Sequence, residues 1–229
     1  MNSVMSPMSR TAADDAWDQL AAQIRRCRRC AELAANRRHV VVGVRPAVAR
    51  PVVLVGEAPG AEEDRTGLPF VGRAGRLLDE LLVDAGLPRA TVAIVNVLKC
   101  RPPGNRVPNR VEIAACRPWL EAQLALLDPG VVVALGGTAV AWFFERPVTL
   151  AQVRGRVHEL RGWRVVPTYH PSAALRFGPT GAPRTALLQD LALAAAVAGH
   201  RRDTDAGPGA VPYDGDRGDE AEMGNGTLW

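Results

Sequence analysis

Three short, almost wholly apolar runs set the strongest limit on how this chain folds: residues 51–55 (PVVLV), 91–98 (TVAIVNVL) and 131–135 (VVVAL). A strand without polar alternation must be covered on both faces, as in a parallel sheet between helices. Helical patterns separate the runs. Residues 12–36 are Ala-rich, with Trp17, Leu20, Ile24 and Leu33 at helical spacing and an interruption near Cys27. Residues 76–85 place Leu77, Leu78, Leu81 and Leu82 on one face, and Gly86 stops them. Asn109 with Glu112 forms a capping pair for a helix to about Leu127, kinked at Pro118. Further helices are read at 138–144 and 183–199. Residues 157–160 and 163–168 flank Arg161-Gly162 as a hairpin whose second strand enters the sheet. Strands alternating with helices predict one three-layer α/β/α sandwich.

In such sheets ligands bind beyond the carboxyl ends of the strands. Four loops leave strand ends there: GEAPGAEEDRTGLPFVG (56–72), NVLKCRPPGNRVP (96–108), Gly136-Gly137 and YHPSAALR (169–176). The first is neither a phosphate-binding P-loop nor a dinucleotide fingerprint, because no Gly-Lys-Ser/Thr follows and the glycine spacing is wrong. Its backbone N–H groups suit an anion or a heterocycle's carbonyl, although a plain strand–helix turn would read the same way. Phe70 could stack on a flat base or belong to the core. His170, held before Pro171, could be catalytic or a satisfied turn residue.

The 229 residues carry a formal charge of +4, unevenly spread. From Arg201 onward seven acids face three bases, so this stretch is −4 and the first 200 residues are +8. Lys99 is the single lysine, and the remaining positive charge is arginine, which binds phosphate bidentately. A basic body points towards a polyanion. One domain over residues 1–200 and a disordered acidic tail over 201–229 are expected. No apolar h-region opens the chain and no apolar run reaches about 18 residues, so a cytoplasmic, membrane-free protein is expected.

The four cysteines are Cys27 and Cys30, as C-x-x-C, with Cys100 and Cys116. In a reducing compartment they suit zinc or an iron–sulfur cluster, or the second two are buried structural thiols. The neighbouring Arg25, Arg26, Arg28 and Arg29 are expected to lower the thiol pKa values.

Taken together, GEAPGAEEDRTGLPFVGRAG, a strand ending at Asn96, KCRPPGNRVP, Cys116 and HPS at 170–172 resemble the family 4 uracil-DNA glycosylases, over about residues 20–199. The resemblance implies a central four-stranded parallel sheet and a structural [4Fe-4S] cluster on Cys27, Cys30, Cys100 and Cys116. It implies a monomer that takes uracil from single- or double-stranded DNA, leaving an abasic site for base excision repair. The target base must be flipped out of the stack. By the resemblance, Phe70 stacks on uracil, Asn96 reads its O4 and N3–H, the backbone at Glu57 and Ala58 lines the O2 side, and His170 donates to O2. Glu57 is the favoured carboxylate for the sugar cation or water, with Glu63 and Asp64 further along the loop. Arg101, Arg106, Ser172, Leu175 and Arg176 are expected to grip DNA, with Leu175 or Arg176 as a wedge into the gap.

Two other readings are weighed. A covalent uracil-DNA-trapping relative uses a histidine in an insertion where this chain has GNRVPNR, without histidine. A non-catalytic metal- or cluster-containing DNA-binding protein accounts for charge and cysteines, but not for Phe70, Asn96 and His170 on three strand-end loops. The family 5 enzymes have a different first motif, without the glutamate.

Overall fold

A computed structural model describes residues 11–200, so both the N-terminal ten residues and the expected acidic tail lie outside the described part. The elements run α1 (Ala12–Arg25), α2 (Ala31–Asn36), β1 (Val52–Gly56), α3 (Ala61–Thr66), α4 (Arg73–Asp84), β2 (Val92–Asn96) and α5 (Arg110–Leu127). They continue with β3 (Val131–Leu135), α6 (Gly137–Phe144), α7 (Leu150–Val153), β4 (His158–Leu160), β5 (Trp163–Thr168), α8 (Pro171–Phe177) and α9 (Ala182–His200).

The sheet order is β2-β1-β3-β5-β4. β2, β1, β3 and β5 are parallel, and β4 joins β5 antiparallel. The expected four-stranded parallel sheet is therefore present, with the first hairpin strand added as a fifth, edge strand. All five residues of β1, β2 and β3 are buried, as their lack of alternation requires. Odd and even positions of β1 feed different layers. Val53 and Val55 pack with Leu120 and Leu124 of α5 and Phe143 of α6. Val52 and Leu54 pack with Leu78 and Leu82 of α4 and Leu187 and Leu191 of α9.

The helix signals have clear physical counterparts. Thr11 caps α1 through a reciprocal box with Asp14, and Asn109 caps α5 the same way with Glu112. α5 continues as helix through Pro118. Residues 12–36 break into two helices around Cys27, as expected. α3 and α8 stand within segments whose pattern predicts loop. Each is only six or seven residues long, too short for helical periodicity to register.

The expected last helix is α9, and it buries a charged residue, Asp190, which is 1% exposed. Arg154 donates to it from Nε and Nη2 at 3.1 and 3.0 Å. Burial raises its pKa, against the opposing pull of Arg154. This pair ties the segment after α7 to α9. No helix among the described residues is long and apolar enough to cross a membrane.

Removing one partner of a buried pair leaves an uncompensated charge. Arg154→Ala is therefore expected to cost about 3–5 kcal/mol in urea unfolding, whereas Arg65→Ala, at an exposed Arg65–Glu62 pair, should cost at most about 1 kcal/mol. Equal effects would contradict a stabilising role for the buried pair.

Candidate active site

β1 is the point where the strand order turns, with β2 on one side and β3 on the other. A crevice opens at such a switch point, at the carboxyl ends of the strands. The parallel register ends β1 and β2 together, with Gly56 opposite Asn96. Past the strands the two chains stay tied, as Val97 and Leu98 donate to the carbonyls of Gly56 and Glu57 at 2.8 and 3.0 Å.

A Cβ on Gly56 would stand 2.3 Å from Asn96 Oδ1 and 2.7 Å from the Phe70 ring. Only glycine lets these two side chains meet over the end of β1. Asn96 is 2% exposed, and its buried Oδ1 has no hydrogen-bond partner among the described residues. Buried amide oxygens are normally paired, so this one is marked for a donor from outside the chain.

Phe70 adopts a left-handed backbone with φ of 51°, uncommon for a bulky residue. Two contacts hold it there. Its carbonyl packs where a Cβ on Gly75 would be, only 1.9 Å away. The Glu63 carboxylate also accepts N–H bonds from Val71 and Gly72, at 2.9 and 3.0 Å, and from Gly60 at 3.1 Å. Glu63 thus laces the start of the first loop to its end. Asp64 is also occupied, its Oδ1 accepting from the N–H groups of Arg38 and His39 at 2.9 and 3.2 Å. Neither acid is presented to the pocket as a spare base. The G-x-x-E spacing from Gly60 to Glu63 was the readable signal for the clamp.

His170 caps α8, and its ring lies 5.6 Å from that of Phe70, tilted by 34°. The Ser172 N–H donates to His170 Nδ1 at 3.1 Å, and the Ser172 hydroxyl is 2.8 Å from the same atom. A backbone N–H can only donate, so Nδ1 is the bare nitrogen and the neutral ring carries its proton on Nε2. Burial pushes the His170 pKa down to about 4, against the charge of Glu63. Ser172 is thereby placed as the histidine's partner.

Glu57 is half-buried at the crevice and accepts from the Thr138 hydroxyl at the start of α6. That bond spans from the β1 loop to the β3 loop. Ala58 packs against the core. Glu57, Phe70, Asn96 and His170 are therefore brought to one end of the sheet.

The expected DNA-contacting residues are more scattered. Arg101 Nε donates to Asn105 Oδ1 at 2.7 Å. Arg106 is held by Glu112, with bonds of 2.9 and 2.6 Å, and by Glu32 at 2.9 Å. These contacts make Arg106 a brace between its loop, α5 and α2. Leu175 and Arg176 are exposed on α8, as is Phe177 at 64%, an aromatic that the sequence reading passed over.

The four cysteines line one cavity with Arg37, Lys99 and Trp119. Trp119 Nε1 donates to Cys27 Sγ at 3.2 Å, and Arg37 Nη1 to Cys100 Sγ at 3.0 Å. The engaged guanidinium is Arg37, not the four arginines flanking Cys27 and Cys30. Arg29 instead lies over the Trp119 ring. The expected lowering of the thiols is overturned for Cys30, Cys100 and Cys116. Burial outweighs the cations, and Cys116 is pushed up to about 11.

Among the described residues no group of three or more His, Cys, Asp or Glu is arranged to hold a single metal ion. The donor chemistry nevertheless fits a thiolate-ligated group: four thiols line one cavity, and N–H donors are aimed at two of the sulfurs. Lys99, also missed, is 1% exposed beside them. Its Nζ donates to the Asn96 carbonyl at 2.6 Å. Burial pulls its pKa down to about 8, opposed by Cys116 and Cys100.

Comparison with known proteins follows the same lines. Residues 42–192 match the family model described as the uracil DNA glycosylase superfamily. A type-4 uracil-DNA glycosylase of Thermotoga maritima is 47% identical over 165 residues, covering 71% of this chain and 85% of that protein. The type-4 enzyme of Archaeoglobus fulgidus is 41% identical over 169 residues, 70% and 84% of the two chains. A type-5 uracil-DNA glycosylase of Mycobacterium leprae is 34% identical over 212 residues, 76% and 91%. The chain belongs to the uracil DNA glycosylase superfamily and, within it, to the type-4 group.

Proposed function

We propose that this protein hydrolyses the N-glycosidic bond between deoxyribose and uracil in DNA, leaving an abasic site for base excision repair. The observation that carries the reading is the orphaned Asn96 Oδ1, buried beside the Phe70 ring with His170 next to it. Uracil presents what this set lacks: an N–H donor at N3 for Oδ1, an acceptor at O4 for the amide NH2, and a flat face for Phe70. Cytosine reverses the O4 and N3 pattern, leaving Asn96 mismatched and buried.

The base enters after flipping from the stack, at about a few kcal/mol. As the glycosidic bond breaks, negative charge grows on uracil O2. The preset Nε2–H of His170 donates to it without reorganisation, and the Glu57–Ala58 backbone lines the same side. One such donor supplies about 2.7–4 kcal/mol. Glu57, oriented by Thr138, stabilises the cationic sugar. Arg101, Ser172, Leu175 and Arg176 face DNA, with Leu175 as wedge. Arg106 serves by bracing its loop.

Cys27, Cys30, Cys100 and Cys116 would hold a [4Fe-4S] cluster, whose iron–thiolate bonds would tie together the α1–α2 segment, the loop after β2 and α5. Residues 1–200 act as one domain, as a monomer in the cytoplasm.

The test is incubation with an oligonucleotide carrying one uracil, followed by alkali. A break at the uracil is expected, and no break from a folded, cluster-loaded protein would sink the reading. The acid limb of kcat/KM on a single-stranded uracil substrate checks His170. Because its neutral form is the competent one, the rate should hold through pH 6.5 and fall only towards pH 4. A half-maximal rate near pH 6.5 would contradict the burial-lowered pKa of His170.

A further inference from the structure

Lys99 has no place in the reaction described above, yet it is the chain's single lysine and one of its most completely buried large side chains. Among the described residues no carboxylate pairs with it. Long cationic side chains are almost never fully buried unless paired. An ammonium in the interior therefore calls for another counter-charge. The groups at hand are sulfur and a carbonyl. Lys99 lines the same cavity as the four cysteines and directly precedes Cys100 in the chain. Its Nζ then reaches back three residues to the Asn96 carbonyl at 2.6 Å, and its own carbonyl accepts from the Val41 N–H at 2.8 Å.

We propose that Lys99 is a positioning residue joining the four-cysteine centre to Asn96, so that an intact centre holds the carboxamide that reads the base. The inference rests on the glycosylase and cluster readings and extends them. The Lys99 side chain lines the cysteine cavity while its Nζ holds the backbone of the base-reading residue. It compensates the thiolate-ligated centre and restrains the last residue of β2. Asn96 cannot be steadied through Oδ1, which has no partner, so its backbone carries the restraint. Gly56 and Phe70 leave little room for the amide to settle elsewhere.

The test uses inhibition of excision by free uracil, which reports the base pocket without the DNA grip. It is measured on the loaded full-length protein for wild type, Lys99→Met and Lys99→Arg. Iron per chain and the reduction potential of the centre are read on the same samples. Lys99→Met keeps the bulk and removes the charge and donor. It is expected to weaken uracil inhibition about tenfold and to move the potential to a more negative value, through loss of a nearby positive charge. Lys99→Arg keeps the charge, and should leave the potential close to wild type while still weakening uracil inhibition, because the forked head cannot reproduce the bond to Asn96.

Uracil inhibition equal to wild type in Lys99→Met overturns the proposal, and so does an unchanged potential. If Lys99→Met does not assemble the centre, Lys99→Arg decides, and unchanged uracil inhibition there overturns it. A wild-type protein that releases no uracil would fail the glycosylase reading itself, and a wild-type protein without iron would fail the cluster reading.

Discussion

Gly56 ends β1 opposite Asn96, and any side chain there would overlap the Asn96 amide and the Phe70 ring. The rest of the site is built on that contact. In-register pairing of β1 and β2 delivers the amide to the end of the sheet. The Glu63 carboxylate, with three N–H bonds, draws the first loop closed so that Phe70 meets it. β5 ends beside β3 and sets His170 against the same ring. The pocket is thus a consequence of strand register and one laced loop, not of a flexible lid.

The electrostatics follow the same economy. The chain carries a basic surface, but its buried polar groups are mostly committed inward. Arg106 is locked to Glu112 and Glu32, and Arg154 to Asp190. Glu63 and Asp64 are spent on backbone N–H groups. Among the groups presented at the strand ends are the Asn96 amide and the imidazole N–H of His170. On the proposed reading, an uncharged donor at the uracil O2 side suits a leaving group whose charge appears only as the bond breaks.

Much of this was legible in the sequence. Unalternating runs mark strands covered on both faces, and the strand-end loops bring forward Phe70 and His170, while Glu57 and Asn96 were singled out by the family resemblance. The capping pair Asn109–Glu112 sets the start of α5. Contacts between segments distant along the chain were not legible. Arg37 lies 63 residues from the Cys100 sulfur it touches, and no local pattern announces that approach. The burial of Lys99 and of Asp190 was equally hidden, because a charged residue in a sequence reads as surface until its partners are seen. Arg106 illustrates the converse: an arginine in a loop reads as a phosphate contact, whereas two acids already hold it. α3 and α8 were lost to their shortness.

The central claim is that the Asn96 amide reads the extruded base. It is tested most directly by the single-turnover excision rate of Asn96→Ala on a uracil-containing strand, beside wild type at matched iron content. The account predicts a fall of about a hundredfold or more, with the fold and the centre retained. A rate within a few-fold of wild type would contradict it.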